Sequence, residues 1–103
     1  MQVRFNNLYL GNLYENVKIG GKPKFSNSVI KGFKEVVRTM EVMTSIKDLY
    51  EFKSLHFEKL KGDLEGYHSV RIDRKYRLIL SFEKDEIRIE EVVVIEDLTN
   101  HYD

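Results

Sequence analysis

Apolar positions along the chain change period near residue 55, from helical spacing to alternation, and this change is the main clue to its architecture. At the start, Val3 and Phe5 alternate with polar neighbours over residues 2–6, as in a short strand. The i,i+4 pairs Tyr9/Leu13 and Leu10/Tyr14 then predict a brief helix over residues 8–16, with Gly11 its weakest position. Gly20, Gly21 and Pro23 mark residues 17–24 as a loop. The clearest helix follows, where Val29, Ile30, Phe33, Val36, Val37, Met40 and Met43 form one continuous apolar stripe. Ser26 is placed to cap it, and Phe25 and Ile30 stand at the spacing of a hydrophobic staple. Ser45 and Asp48 predict the start of a second short helix reaching about Phe52, completing a helical hairpin.

Past residue 55, residues 67–72, 76–82 and 87–97 read as strands. Asp73-Arg74-Lys75 and Glu83-Lys84-Asp85-Glu86 separate them, and Glu90-Glu91 breaks the alternation of the last strand as a bulge does. Helices first and a meander afterwards predict an α+β fold: a helical hairpin packed on an antiparallel or mixed sheet of about four strands, one face against the long helix and the other available.

At 103 residues the chain is one domain, 1–103, able to bury a core without disulfide or metal staples. The absence of cysteine removes disulfide scaffolds, thiolate nucleophiles and cysteine-based metal sites. The first residues carry no apolar signal segment, and the longest aliphatic run, residues 92–95, is far too short for a membrane span; a soluble cytoplasmic protein with no membrane partner is expected. Net charge is zero, but its distribution is uneven. Residues 1–52 carry eight basic against five acidic side chains, residues 53–82 seven against four, and residues 83–103 two against eight. Screening confines exposed charges to a reach of about 10 Å, so a basic surface in the middle of the chain is compatible with overall neutrality.

Candidate chemistry gathers in that middle segment. With Asp73–Lys75 as a three-residue hairpin loop, Arg71 lies opposite Arg77 and both share a face; a two-residue loop would shift the register and separate them. Like charges so placed need a carboxylate or an anionic ligand nearby, and guanidinium forks match phosphate. The plainer reading is two exposed arginines paired with Glu58 or Asp97. Lys59, Lys61, Arg74 and Lys75, interleaved with Phe57, Tyr67 and Tyr76, offer the charge and stacking surfaces used by single-stranded RNA, or else a sheet edge guarded by lysines. His56, His68 and His101 are available for proton transfer, with His68 the most structural because it alternates with Val70 and Ile72. There is no HExxH, P-loop or GxSxG, so zinc protease, NTPase and serine hydrolase are unsupported.

The run Leu60-Lys61-Gly62-Asp63-Leu64-Glu65-Gly66-Tyr67-His68-Ser69-Val70-Arg71-Ile72, followed by Tyr76-Arg77-Leu78-Ile79, resembles the central segment of RelE-superfamily toxins, closest to their HigB and YoeB branches. The ending Glu96-Asp97-Leu98-Thr99-Asn100-His101-Tyr102 resembles their closing strand with its His-Tyr pair. The resemblance covers residues 55–103 well and offers only a compatible element order before them. It implies a RelE-like fold and a type II toxin that cleaves mRNA on the ribosome without metal or cofactor. Residue by residue, it implies Arg77 on the scissile phosphate, Arg71 as second basic group, Glu58 as general base, His101 as general acid and Tyr102 stacking on or orienting a base. It implies that Lys61 lines the RNA groove, beside the charge of Lys59, Arg74 and Lys75, and, because many HigB proteins use a histidine near the position of Glu58 instead of the carboxylate, it keeps His56 among the candidates. The implied partner is a small antitoxin, HigA-like with a helix-turn-helix domain; independently of the resemblance, an apolar groove beside Val29, Phe33 and the sheet is a candidate site for an antitoxin helix or strand. ParE-like members of the superfamily instead inhibit DNA gyrase by binding, and an inactive protein that only binds antitoxin and operator is a third class.

Overall fold

The computed structural model describes residues 1–101, and Tyr102 lies outside the described residues. Strand β1 (Gln2–Phe5) leads into helix α1 (Leu8–Tyr14), α2 (Asn27–Glu41) and α3 (Ile46–Glu51), after which β2 (Glu58–Lys59), β3 (His68–Arg71), β4 (Arg77–Asp85) and β5 (Glu90–Thr99) form a meander. Together the strands make one five-stranded sheet in the order β1-β5-β4-β3-β2. β1 runs parallel to β5 and the other pairs are antiparallel, so the sheet is mixed. The fifth strand, absent from a count of four, is the two-residue β2, too short to leave a periodicity.

The helix boundaries follow local chemistry. Asn7 caps α1 by accepting from Leu10 N, and Ser26 caps α2 by accepting from Val29 N. Phe25 packs its ring edge-on to Tyr76 and tilted against Tyr9, tying the entry of α2 to the β3–β4 hairpin. At α3, Ser45 makes no side-chain cap bond. Asp48 instead reaches back to the amide and hydroxyl of Thr44 at 2.9 and 3.0 Å, and these bonds hold its carboxyl below the usual range.

α2 lies on the sheet with Val29, Phe33, Val37 and Met40 buried beneath it, against Val70, Leu78, Leu80 and Ile95. Each such fully buried side chain stabilises the fold by about 1.5–3 kcal/mol. The helix sits close: a Cβ on Gly32 would come within 3.0 Å of Ile72 Cγ2, so glycine is the residue that this approach admits. Val29 and Phe33 are 5% and 0% exposed, so these two side chains belong to the core and present no free apolar surface themselves.

Two features of the meander depart from the periodicity. β4 continues through Glu83, Lys84 and Asp85, which pair with Val92, Glu91 and Glu90, and Arg4 of β1 reaches across β5 to form an ion pair with Glu83. Cross-strand pairing thus keeps in the ladder residues whose polarity marks them as a turn. The register shift lies not at Glu90-Glu91 but where Ile79 and Leu80 face Asp97 and Ile95, leaving Glu96 as the extra residue. Its carboxylate accepts from Asn6 Nδ2 at 2.8 Å and Ser81 Oγ at 2.6 Å. The bulge changes the phase of β5. Val93 and Ile95 face the helices, and after Glu96 it is Leu98 that does so, while Asp97 and Thr99 turn to the opposite face.

His68 lies on the helix side, stacked at 5.2 Å and 7° on Phe57 and edge-on to Phe82. Burial, with the charge of Lys59 adding to it, holds its pKa below the ordinary 6.5. A depressed histidine pKa favours the folded state while the ring is neutral, so this stability is present above about pH 6.5, where the unfolded ring is also neutral, and is lost as pH falls below it. Urea midpoints measured from pH 7.5 down to pH 5 are expected to diverge between the wild type and His68→Phe. The variant, whose ring keeps the stack and cannot protonate, should lose less on acidification; parallel curves would remove His68 from the acid sensitivity.

Candidate active site

The face of the sheet turned away from the helices carries the candidate groups. The three-residue loop Asp73–Lys75 forms as its residues dictate: Ile72 N donates to Tyr76 O at 2.9 Å, and Asp73 Oδ1 accepts from Lys75 N at 2.8 Å and Tyr76 N at 2.7 Å. This sets Arg71 opposite Arg77, and Arg77 in turn opposite Thr99 of β5. One strand row of the open face is therefore Arg71, Arg77, Thr99. The row beside it runs Glu58, Ser69, Ile79, Asp97.

The two arginines are not equivalent. Arg77 is only 6% exposed, which corrects the picture of an exposed pair. Its Nε donates to Ser69 Oγ at 2.8 Å, its Nη2 donates to the His56 carbonyl, and Nη2 lies 3.7 Å from Glu58 Oε1. Arg71 is half-buried; its Nε donates to the Asp73 carbonyl at 3.1 Å and its Nη1 lies 3.3 Å from His56 Nε2. A guanidinium has no lone pair to offer, so in this contact His56 Nε2 can act only as the acceptor. His56 thus holds both arginines, one by its main chain and one by its ring. Its backbone is left-handed (φ 46, ψ 50), a conformation histidine adopts more readily than most residues, and this aims the carbonyl back at β4.

Of the residues singled out in the sequence, His56, Glu58, Arg71 and Arg77 come together. His101 is exposed, its N–H donating to Thr99 Oγ1 at 2.9 Å, which ties it to the end of β5 two residues beyond the partner of Arg77. Lys59 follows Glu58 on β2 and so projects to the other side of the strand; with Lys61, Tyr67 and His68 it lines a separate concavity of about 420 Å³. Arg74 and Lys75 are exposed at the hairpin tip, next to the arginine row in sequence but without a bond to it. Among the described residues no cluster of three His, Asp or Glu side chains is arranged to hold a metal ion. The sequence reading missed Ser69 and the His56 carbonyl. Ser69 had two available signals: it lies within the run that resembles the family's central segment, and it is a polar residue two places before Arg71 on the same face of its strand.

A buried guanidinium held at fixed angle beside an exposed carboxylate, with a second guanidinium and an imidazole alongside, can bind a phosphodiester and move a proton next to it. The family model of RelE-like toxins of the type II toxin–antitoxin system HigB matches residues 3–93. No curated protein matches the chain. Among solved structures, a YoeB/ParE toxin from Agrobacterium tumefaciens is similar, with 20% identity, 99% of this chain and 100% of that chain covered, and a TM-score of 0.61. A chain of the YoeB–YefM complex from Staphylococcus aureus is 20% identical over 99% of this chain and 98% of its own, with a TM-score of 0.56. At these identities the likeness is one of fold, and its 99% coverage includes the first half of the chain, where the sequence offered no motif. The chain belongs to the HigB-like family of RelE-like toxins of type II toxin–antitoxin systems.

Proposed function

We propose that this toxin is an endoribonuclease that cleaves mRNA on the ribosome by metal-independent transesterification and so stops translation. The observation that carries the reading is the buried Arg77 held beside Glu58, with Arg71 in the same row. Glu58 takes the proton of a ribose 2′-OH and the 2′-oxygen forms a bond to the adjacent phosphorus. Arg77 and Arg71 offset the charge gathering on the phosphoryl oxygens, the P–O5′ bond breaks, and His101 gives its proton to the departing oxygen. The products are a 2′,3′-cyclic phosphate and a 5′-hydroxyl, with every proton accounted for by the two side chains. Tyr102 has the role of stacking on a base next to the cut. His56 stays on the RNA-contacting surface through its bond to Arg71, Arg74 and Lys75 supply positive charge to the RNA backbone at the hairpin tip, and Lys59 and Lys61 do so from the other side of β2.

The partner that restrains the activity is a small antitoxin, HigA-like with a helix-turn-helix domain; the heterotetrameric YoeB–YefM toxin–antitoxin complex from Staphylococcus aureus supports an antitoxin as partner. Mapping RNA 5′ ends across the transcriptome after brief induction tests the reading. New cuts inside translated frames are expected. Growth arrest with DNA breaks and no such cuts would favour gyrase inhibition, the activity of ParE-like proteins, and no arrest at all would leave an inactive binding protein.

A further inference from the structure

We infer that Ser69 is the positioning residue for Arg77, aiming the guanidinium at the scissile phosphate without touching RNA itself; the inference rests on the nuclease reading above. Strand β3 lies between β4, which carries Arg77, and β2, which carries Glu58. To reach Glu58 and the His56 carbonyl, the Arg77 side chain has to cross β3 on the open face. Ser69 stands at that crossing, opposite Glu58 on one side and opposite Ile79 on the other, which makes it the diagonal neighbour of Arg77. A long side chain here would block the passage. Alanine would leave it open but would offer nothing to the Nε–H. Serine is short, fully buried, and accepts that proton at 2.8 Å.

The consequence is orientation. A guanidinium is planar, and bonds from Nε to Ser69 and from Nη2 to His56 fix both the plane and its rotation, so the direction of Nη1 is fixed as well. An arginine otherwise free to sample many rotamers is held in one before substrate arrives. A donor already in place stabilises developing charge without reorganising at the moment of reaction. Were Ser69 only satisfying a buried donor, its removal would alter stability and leave the chemistry alone.

Single-turnover cleavage of mRNA on programmed ribosomes, with wild type and Ser69→Ala side by side, separates the two. Ser69→Ala is expected to slow the saturated rate by roughly 10- to 100-fold, the cost of a misaimed group, with the half-saturating ribosome concentration near that of the wild type. In ¹⁵N-edited spectra the Arg77 Nε–H signal, identified by its loss in Arg77→Lys, should be protected from solvent exchange in the wild type and lose that protection in Ser69→Ala. Should Ser69→Ala fail to fold, Ser69→Cys keeps the size with a poor acceptor and is expected to show the same slowing. An unchanged saturated rate, or an Nε–H signal that does not respond, overturns the assignment of Ser69. Loss of ribosome affinity at an undiminished saturated rate overturns it as well. Absence of cleavage by the wild type itself overturns the nuclease reading, and the spectra still report whether Ser69 orients Arg77.

Discussion

Replacing Arg77 with alanine is expected to reduce RNA cleavage by roughly 10²- to 10³-fold, the loss seen when one preorganised donor to a developing oxyanion is removed. The expectation rests on burial and clamping. Arg77 is 6% exposed and bound to Ser69, His56 and Glu58, so its charge acts from a fixed position with little solvent between it and the substrate. Arg71 is more open and tied to the hairpin loop and the His56 ring, and Arg71→Ala is expected to cost less than Arg77→Ala. The variant also strips a partner from the buried Ser69 hydroxyl, which costs about 1–3 kcal/mol when left unmade, and one from the part-buried His56 carbonyl. Rates are therefore compared at a temperature where thermal melts show both proteins folded. Arg77→Lys sharpens the test: an ammonium keeps the charge but is a point donor without the planar fork, and it should recover only part of the activity. Near-wild-type cleavage by a folded Arg77→Ala protein would remove Arg77 from the mechanism and leave its contact with Glu58 as a structural ion pair.

Much of this arrangement was legible in the residues where the signal is local. The apolar stripe of α2 and the Ser26 cap are as expected, because both are written within a few turns of one helix. The β3–β4 register followed from three loop residues, since Asp73 closes the turn with its own carboxylate and turn length sets which residues face each other. What escaped was pairing between distant segments. β2 is two residues long and exists only because β3 is beside it, so the alignment of Glu58 with Ser69, and hence the reach of Arg77 across β3, could not be read from spacing. The bulge at Glu96 had a trace in the sequence. Val93 and Ile95 are two apart, and the next helix-facing residue, Leu98, is three beyond Ile95. A break in phase there turns Thr99 to the open face, opposite Arg77, whereas the two charges of Glu90-Glu91 sit in unbroken ladder pairing with Asp85 and Lys84.

Phe33→Ala is expected to destabilise the protein by about 3–5 kcal/mol, the usual cost of deleting a buried aromatic and leaving a cavity. Phe33 has no exposure and lies at the centre of the helix–sheet layer, its ring edge-on to Phe5 and Tyr14 with centroids at 6.3 Å in both pairs. These rings tie α2 to β1 and α1, elements that otherwise meet the rest of the chain mainly through β5. Small domains have about 5–15 kcal/mol of stability in all, so the loss is a large share of the total. It should show as a lower urea midpoint with an unchanged slope. The side chain packs in the core on the opposite face of the sheet from Arg77. Cleavage by the folded fraction should consequently remain near the wild-type rate at low temperature and collapse at the lowered melting point. Arg77→Ala is expected to do the reverse, losing rate at temperatures where it is folded. If Phe33→Ala instead lost activity while fully folded, α2 would have to act on the site through Val70 and Leu78, the core residues that flank Ser69 and Arg77 in sequence, and the two faces of the sheet would not be independent.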